Sequence, residues 1–345
     1  MVVKVNCRGH LRHFFYLATH NRSTMKNLGI LLTHNYRLLS VAAILDMFES
    51  VNRFYKEEGR EPFFNINLFC AEKGTAYAEF NNYPLQAVDE ASQLDIIFVP
   101  AFRSDDIRAA VLDNKPFIPW LQQQFGSGSE IACVCTGAFL LGATGLLNGR
   151  PATTHVDACQ AFTDSFPAVN LQPDKVVTGE GGLYTSGGST SSFHLMLHLL
   201  QKYCGKEIAV RAAKLFSIDM DREQQTYFST FYPAQQHNDQ LVAMAQQRIE
   251  KGFHHNGTIE DLIKEIPGSR RNILRRFKQI TGITPIEYLQ KTRIEAAKKL
   301  LVQTNQQMTE VMLNSGYNDP KAFRKVFRKA VGMTPTGYRE KFFMG

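Results

Sequence analysis

Short apolar runs alternate with longer amphipathic stretches over the first two thirds of the chain. Helical patterns cover residues 39–55, 137–147 and 191–203, and apolar runs of strand length occupy residues 28–33, 64–71, 95–100, 130–135, 152–155 and 175–178. Alternation of this kind is typical of α/β proteins, in which helices cover both faces of a mostly parallel sheet. We therefore predict such a sheet for this part of the chain.

The pattern changes after about residue 218. The sequence becomes polar and rich in Gln up to residue 239. Beyond residue 239 it contains only helical segments of 8 to 20 residues, separated by Gly, Pro and capping residues. We expect a domain at residues 25–218, a linker at 219–240 and an all-α domain at 241–345. Residues 1–24 carry no secretory signal pattern and are interpreted as a disordered extension.

The C-terminal third contains an internal repeat with an offset of 50 residues. Its markers recur with identical spacing: Phe277, Gly282, Thr284, Pro285 and Tyr288 return as Phe327, Gly332, Thr334, Pro335 and Tyr338. Each copy also contains a short helix, a break with Gly, and a basic amphipathic helix. Two helices joined by such a turn form a helix-turn-helix unit, so we predict two of them.

The local pattern of each copy supports this prediction. Ser269 and Asn318 stand where an N-cap is needed, and Thr284 with Glu287 forms a capping box that begins a spacer helix reaching about residue 301. The buried stripes leave basic residues on the outer faces. We predict that eight of them bind DNA: Arg270, Arg271, Arg275, Lys278, Lys321, Arg324, Lys325 and Arg328.

Charge and composition agree with a DNA partner. Residues 241–345 hold 19 Lys/Arg and 9 Asp/Glu, a net charge of +10, whereas residues 25–240 carry −7. A local basic excess is the usual footprint of a polyanion partner. The mean hydropathy is −0.23 and no apolar run is long enough for a membrane span, which excludes an integral membrane protein. Six cysteines without a Cys-x-x-Cys pair favour a reducing, cytoplasmic location.

Residues 242–343 resemble the AraC/XylS family of bacterial transcription regulators, whose DNA-binding domain has two helix-turn-helix units joined by a long helix. The resemblance implies that the recognition helices enter successive major grooves, with Arg271 and Arg275 from the first and Lys321, Arg324 and Lys325 from the second facing DNA. The first copy departs from the family at Ile266, Pro267 and Leu274, where small or polar residues are typical.

A second candidate site lies where an apolar strand runs into a helix. The strand ends at Cys135, and Gly137 permits a sharp turn, so this thiol would point into an open site near a helix N-terminus. Such a thiol is a candidate nucleophile, with His155 as its base. Equally, small buried residues suit a parallel strand, and buried cysteines are usually inert.

Residues 27–215 resemble the DJ-1/PfpI branch of the class I glutamine amidotransferase-like fold, and the joint arrangement resembles the GlxA-type subgroup of AraC regulators. The segments CTGAFLLGATGLLNGRPATTH, DIIFVP and TSGGSTSS carry this resemblance, which implies a flavodoxin-like sheet. Hydrolytic relatives place His directly after the nucleophile, but here Thr136 stands there. Enzymatic relatives also have an acid where this chain has Ser40. We therefore expect no enzyme activity, and Cys135 and His155 are vestigial candidates only.

The same segments predict a ligand pocket, because donors at a helix N-terminus favour anions. Its predicted lining is Cys135, Thr136, His155, Ser186, Gly187 and Gly188. His194 and His198 are four residues apart on a helix, but without a third ligand they are interpreted as packed residues rather than a metal site. No metal and no cofactor are expected.

Together these features predict a sequence-specific regulator that binds double-stranded DNA. Its α/β domain would sense a small-molecule effector, form a homodimer, or both, and RNA polymerase would be a partner if it activates transcription. The alternative is a cysteine-dependent hydrolase or amidase that uses Cys135 and is located on DNA by its basic tail. A membrane partner is not expected.

Overall fold

The computed structural model describes residues 25–71, 80, 83, 85–103, 106–222, 225, 231, 237, 239–255 and 258–343. The extension predicted at residues 1–24 and most of the predicted linker lie outside this range. The described residues form an α/β part followed by a purely helical part, as the sequence predicts.

The α/β part contains a mostly parallel sheet. Its strands and those of a small side ribbon are β1 Lys26–Leu31, β2 Phe64–Cys70, β3 Leu85–Ala87, β4 Ile96–Val99, β5 Glu130–Val134, β6 Pro151–Ala152, β7 Asn170–Leu171, β8 Val177–Glu180 and β9 Leu183–Ser186. The seven-stranded sheet has the order β3-β2-β1-β4-β5-β9-β8, and β6 pairs with β7. Only β8 runs antiparallel to its neighbour within the large sheet.

Helices cover both faces of this sheet. They are α1 Leu38–Glu57, α2 Ile107–Asp113, α3 Phe117–Gly126, α4 Ala138–Ala143, α5 Cys159–Ser165, α6 Ser191–Cys204 and α7 Lys206–Leu215. Successive strand residues point to opposite faces. Ile96 and Phe98 therefore pack in a core with α1, α6 and α7, while Ile97 and Val99 pack in a second core with α2 to α5.

The short strands β3 and β7 were not predicted from the sequence, and two further details differ from the prediction. The run predicted as a strand at residues 152–155 contributes only Pro151–Ala152, which lies in the side ribbon. A strand was not predicted at Leu183–Ser186, yet all four residues are buried and pair in parallel with β5. Its polar, Gly-flanked sequence hides it, because its position inside the sheet rather than its own composition makes it a strand.

The helical part contains seven helices among the described residues. They are α8 Gln240–Gly252, α9 Ile259–Ile263, α10 Arg270–Thr281, α11 Pro285–Gln303, α12 Met308–Asn314, α13 Pro320–Val331 and α14 Pro335–Phe342. The first helix-turn-helix unit is α9 with α10, and the second is α12 with α13. At 19 residues, α11 is about 28 Å long.

The caps agree with the sequence prediction except at one site. Ser269 accepts a hydrogen bond from the backbone of Asn272, which confirms it as the N-cap of α10. The prediction for Asn318 was wrong: Asp319 caps α13, accepting from the N–H of Lys321. Because Pro320 takes the first helical position and has no N–H to be capped, the cap falls directly before the proline.

Candidate nucleic-acid interface and ligand pocket

The two recognition helices, α10 and α13, have the same length and end in the same way. Each has 12 residues and stops at a glycine in the left-handed region, Gly282 with φ 75° and Gly332 with φ 82°. Phe277 and Phe327 are fully buried and anchor the two helices in separate cores. The repeat seen in the sequence is therefore a repeat of structure.

All eight basic residues predicted to bind DNA are exposed on these two helices. Six of them lie on the faces opposite the buried stripes: Arg271, Arg275 and Lys278 on α10, and Lys321, Lys325 and Arg328 on α13. Arg270 lies at the N-terminal end of α10, three residues before the buried Ile273, and Arg324 flanks the buried stripe of α13. Lys329, which we did not single out, is also exposed on α13. A phosphate backbone could meet several positive charges on each helix, as duplex binding requires.

Some guanidinium groups in the first unit already have protein partners. Arg270 forms an ion pair with Glu260, and Arg275 donates to the side-chain oxygen of Asn272 over 3.3 Å. Arg276 pairs with Asp239 at 2.7 Å. Asp239 is also the N-cap of α8, so Arg276 holds the recognition helix to the first helix of the domain.

Arg293 joins the two helix-turn-helix units, and sequence reasoning missed it. From the middle of α11 it donates to the carbonyl oxygens of Phe253 at 2.8 Å and His255 at 2.9 Å, just after α8. Its guanidinium also lies 5.7 Å from the ring centroid of Tyr317, in the turn of the second unit. Burial lowers the pKa of Arg293 from its usual value. The contact depends on Gly316, where an added Cβ would lie 2.2 Å from the Phe253 oxygen.

The strand-to-helix turn around Cys135 has the shape predicted from the sequence. Cys135 has φ 56°, a conformation unusual for a residue with a side chain, and it begins a short 3-10 turn before α4. A Cβ at Gly137 would lie 2.6 Å from the carbonyl oxygen of Val99, so only glycine fits the turn.

The chemistry at this turn does not favour a nucleophile. Cys135 is 3% exposed, and this burial raises its pKa above the usual value, against smaller opposing effects of Thr136 and Arg37. A raised pKa leaves little thiolate near neutral pH. The hydroxyl of Thr136 is engaged with the backbone of Phe102, accepting from its N–H at 3.0 Å and donating to its oxygen at 2.9 Å.

Most residues of the predicted ligand pocket meet at the carboxyl ends of β5 and β9. Val134, which precedes Cys135, is paired with Ser186. The Cys135 carbonyl accepts from Thr154 at 3.0 Å, and a Cβ at Gly188 would lie 3.3 Å from the His155 ring. His155 Nδ1 accepts from the N–H of Asp157, and among the described residues no hydrogen bond joins it to Cys135. Thr136 instead faces Phe102, and its predicted ligand role stays a prediction.

The pocket has a further member that the sequence did not indicate. The side chain of Gln225, from the segment predicted to be a linker, is 2% exposed and lies between residues 153–154 and Gly187–Gly188. A Gln in a Gln-rich stretch carries no signal of burial, so only the structure reveals this contact.

A separate cavity of about 330 Å³ lies beside α6. Its lining includes Lys175, His194, His198 and Arg222. His194 bonds the carbonyl oxygen of Asp219 at 2.9 Å, and burial lowers the pKa of His198 from its usual value. In the described part of the chain, no group of three or more His, Cys, Asp or Glu residues is placed to hold a metal ion.

Searching the described helices for a membrane span finds none with the required length and apolar character.

Comparisons with known proteins match both parts of the chain. A model described as a helix-turn-helix domain matches residues 262–341, and the model of the DJ-1/PfpI family matches residues 80–202. The HTH-type transcriptional regulator GbdR of Pseudomonas aeruginosa is 25% identical over 91% of this chain and 84% of its own length. The HTH-type transcriptional regulator GlxA of Rhizobium meliloti is 23% identical over 94% and 98%.

An enzyme is similar over a shorter range. Isonitrile hydratase of Pseudomonas putida is 31% identical over 128 residues, which cover 36% of this chain and 53% of that enzyme. The two regulators, in contrast, match along nearly the whole chain, including the helical part that contains the repeat. With its two helix-turn-helix units behind a DJ-1/PfpI domain, the chain belongs to the AraC-type transcriptional regulators that carry an amino-terminal DJ-1/PfpI domain.

Proposed function

We propose that the protein is a sequence-specific DNA-binding transcription regulator whose α/β domain senses a small polar ligand. The observation that carries this proposal is the pair of equivalent recognition helices, α10 and α13, with all eight predicted basic residues exposed. Each helix offers Arg for bidentate contact with guanine and Lys for phosphate. The spacer α11, about 28 Å long, and Arg293 hold the two units at a defined separation.

The boundaries proposed for this regulator are a sensor domain at residues 25–218, a linker at 219–240 and a DNA-binding domain at 241–345. In the same proposal the protein acts in the cytoplasm, where its DNA partner lies, and forms a homodimer through the α/β domain. RNA polymerase would be its partner if it activates transcription. Light scattering of the full chain tests the dimer.

The proposal assigns no catalysis to the α/β domain. The strained turn at Cys135 and the similarity to isonitrile hydratase favour a cysteine-dependent enzyme as the second candidate. Against it stand the burial and raised pKa of this thiol and the missing base after it. Turnover of an amide or isonitrile substrate that is lost in Cys135→Ala would establish the second candidate.

Selection of duplexes from a random pool, with the full chain at about 50 mM and about 200 mM salt, tests DNA binding. We expect an enriched motif, and a Kd that rises with salt by a slope of about 0.9 per phosphate contact. Replacing Arg275 and Arg324 by Ala should weaken binding by about 1–3 kcal/mol each and relax the motif.

Lys299→Ala is the matched control, because Lys299 is an exposed basic residue on the spacer helix α11, outside both recognition helices. Its motif and affinity should equal those of the wild type. Selection of no motif by the wild-type chain would contradict sequence-specific binding. Equal losses in the control and the double variant would contradict the assignment of the recognition residues.

A further inference from the structure

The side chain of Gln225 makes a complete set of hydrogen bonds inside the pocket at the end of β9. Its Oε1 accepts from the backbone N–H of Gly188 at 3.1 Å. Its Nε2 lies 3.0–3.2 Å from three acceptors: the hydroxyl of Thr153 and the carbonyl oxygens of Thr154 and Pro173. One donor and three acceptors therefore surround the carboxamide, so its carbonyl oxygen has a donor and its two N–H groups have three acceptors within reach.

Gly187 leaves the space that this carboxamide occupies. A Cβ at that position would lie 1.8 Å from Oε1 of Gln225, and the three nearest atoms all belong to Gln225. The φ of Gly187 is not in the left-handed region, so backbone conformation does not require glycine here. The need for glycine comes from the group that fills the pocket.

The walls of the pocket are polar and buried. Thr153, Thr154 and Ser186 are each fully buried, although they lie at the end of a sheet where apolar residues are the norm. The hydroxyl of Thr153 donates to the carbonyl oxygen of Lys175, and that of Thr154 donates to the carbonyl oxygen of Cys135. Buried polar groups are costly unless they are paired, so a pocket with these walls is suited to a polar occupant such as a carboxamide.

From this geometry we propose that the pocket is a binding site for small molecules with a primary carboxamide, and that Gln225 fills it as an internal ligand when no effector is present. The inference rests on the sensor role proposed for this domain and names the chemical class of its ligand. An effector of this class would take the N–H of Gly188 and the acceptors at residues 153, 154 and 173 and would displace Gln225.

Displacement of Gln225 would be felt in the DNA-binding part, because a contact lies only six residues further along the chain. The ring of Phe231 packs against that of Tyr288 on α11, with centroids 5.1 Å apart, and lies under Lys291. Six residues span at most about 20 Å. Gln225 in the pocket and Phe231 against the spacer helix therefore connect the two parts of the chain over a short distance. An effector that displaces Gln225 would remove this connection.

Butyramide is the appropriate probe, because it reproduces the Gln side chain from Cα to the amide, and butyrate is its control without N–H donors. An internal ligand competes at an effective concentration on the order of millimolar. Calorimetry on the full chain should therefore show butyramide binding to Gln225→Ala with a Kd at least about tenfold lower than to the wild type. Gln123→Ala, an exposed Gln on α3, should behave as the wild type.

Gly187→Ala is the second variant, since its Cβ takes the space of any carboxamide while Gln225 remains in the chain. We expect it to bind no butyramide and to show faster hydrogen exchange in the peptide that contains Gln225. Equal butyramide affinity in Gln225→Ala and wild type, absence of binding to a folded Gln225→Ala, or butyrate binding as well as butyramide would each overturn the proposed site.

The coupling has its own readout. Saturating butyramide should change the Kd of the wild-type chain for its selected duplex, because linkage between two sites is reciprocal. This change should be absent in Gly187→Ala, because the added Cβ leaves no room for butyramide. A wild-type Kd for DNA that stays constant while butyramide binds would overturn the coupling. Failure of the chain to bind DNA would overturn the regulator proposal instead, and calorimetry with butyramide would still decide the pocket.

Discussion

Thr284 and Glu287 hold each other at the N-terminus of α11. The hydroxyl of Thr284 accepts from the N–H of Glu287, and the Glu287 carboxylate accepts from the N–H of Thr284 at 2.7 Å. The equivalent position in the second copy, Thr334, caps α14 but has Gly337 three residues later and so lacks the reciprocal acid. The two copies of the repeat therefore begin their following helices with different numbers of hydrogen bonds.

This difference predicts an acid-sensitive contribution to stability. Hydrogen bonds from the backbone and the hydroxyl of Thr284 lower the pKa of Glu287 below its usual value of 4.5. Since the folded-state pKa is depressed, the stabilisation is present above about pH 4.5 and is lost as the pH falls through the folded-state pKa. The difference in unfolding free energy between wild type and Glu287→Gln should shrink from about pH 7 to about pH 3. A difference independent of pH would contradict this.

Gly137→Ala should destabilise the α/β domain. The added Cβ would lie 2.6 Å from the backbone oxygen of Val99 and 2.7 Å from that of Pro100, and backbone atoms of a central strand move only with strain. We expect the unfolding free energy to fall by about 1–3 kcal/mol, measured by urea denaturation. At Gly126 an added Cβ meets no heavy atom within 4 Å, so Gly126→Ala is the control and should not destabilise. Equal stability of both variants would refute the close contact.

Cys135 should react slowly with iodoacetamide near neutral pH, because burial raises its pKa and leaves little thiolate. Its rate of alkylation, followed by peptide mass spectrometry, should rise with pH and stay well below the rate of the same thiol in denatured protein. Denatured protein provides the reference rate for an open thiol. Rapid labelling of Cys135 in the folded chain at neutral pH would instead favour the hypothesis of a cysteine-dependent enzyme.

Arg293→Met should loosen the joint between the helix-turn-helix units. The change leaves the carbonyl oxygens of Phe253 and His255 without this donor, which should lower the unfolding free energy by about 1–3 kcal/mol. We also expect a weaker affinity for the full selected duplex, because the units lose their defined separation. Arg248→Met removes only an exposed ion pair with Glu265 and should change stability by less than about 1 kcal/mol. Equal effects of the two variants would contradict the role of Arg293.

The recognition helices were predicted closely because their signals are local. The N-cap Ser269, the capping box of Thr284 and the glycines that end α10 and α13 all act within four residues along the chain. The N-cap of α13 was predicted one residue too early, at Asn318 instead of Asp319. Both side chains are able to cap a helix, and the position of Pro320 decides between them. Such errors concern the ends of elements rather than their existence.

The pocket could be predicted only in part. Cys135, His155, Ser186 and Gly188 lie close together, because the carboxyl ends of neighbouring parallel strands meet at one edge of the sheet, and their ligand role stays a prediction. Strand β9 itself was missed, and Thr136 is held by Phe102, 34 residues away in the chain. Contacts between residues so far apart in the chain depend on which strands become neighbours in the sheet. The local pattern of hydrophobic residues does not predict the order of the strands.

By itself the sequence determined that this chain has an α/β part and two helix-turn-helix units with a basic outer face, because hydrophobic period, capping and charge are properties of short segments. Only the tertiary structure decided which groups close the predicted ligand pocket and which residue joins the two units. Gln225 and Arg293 reach partners about 40 to 70 residues away. Their roles follow from burial and from hydrogen-bond partners that exist only once the sheet and the helices have packed.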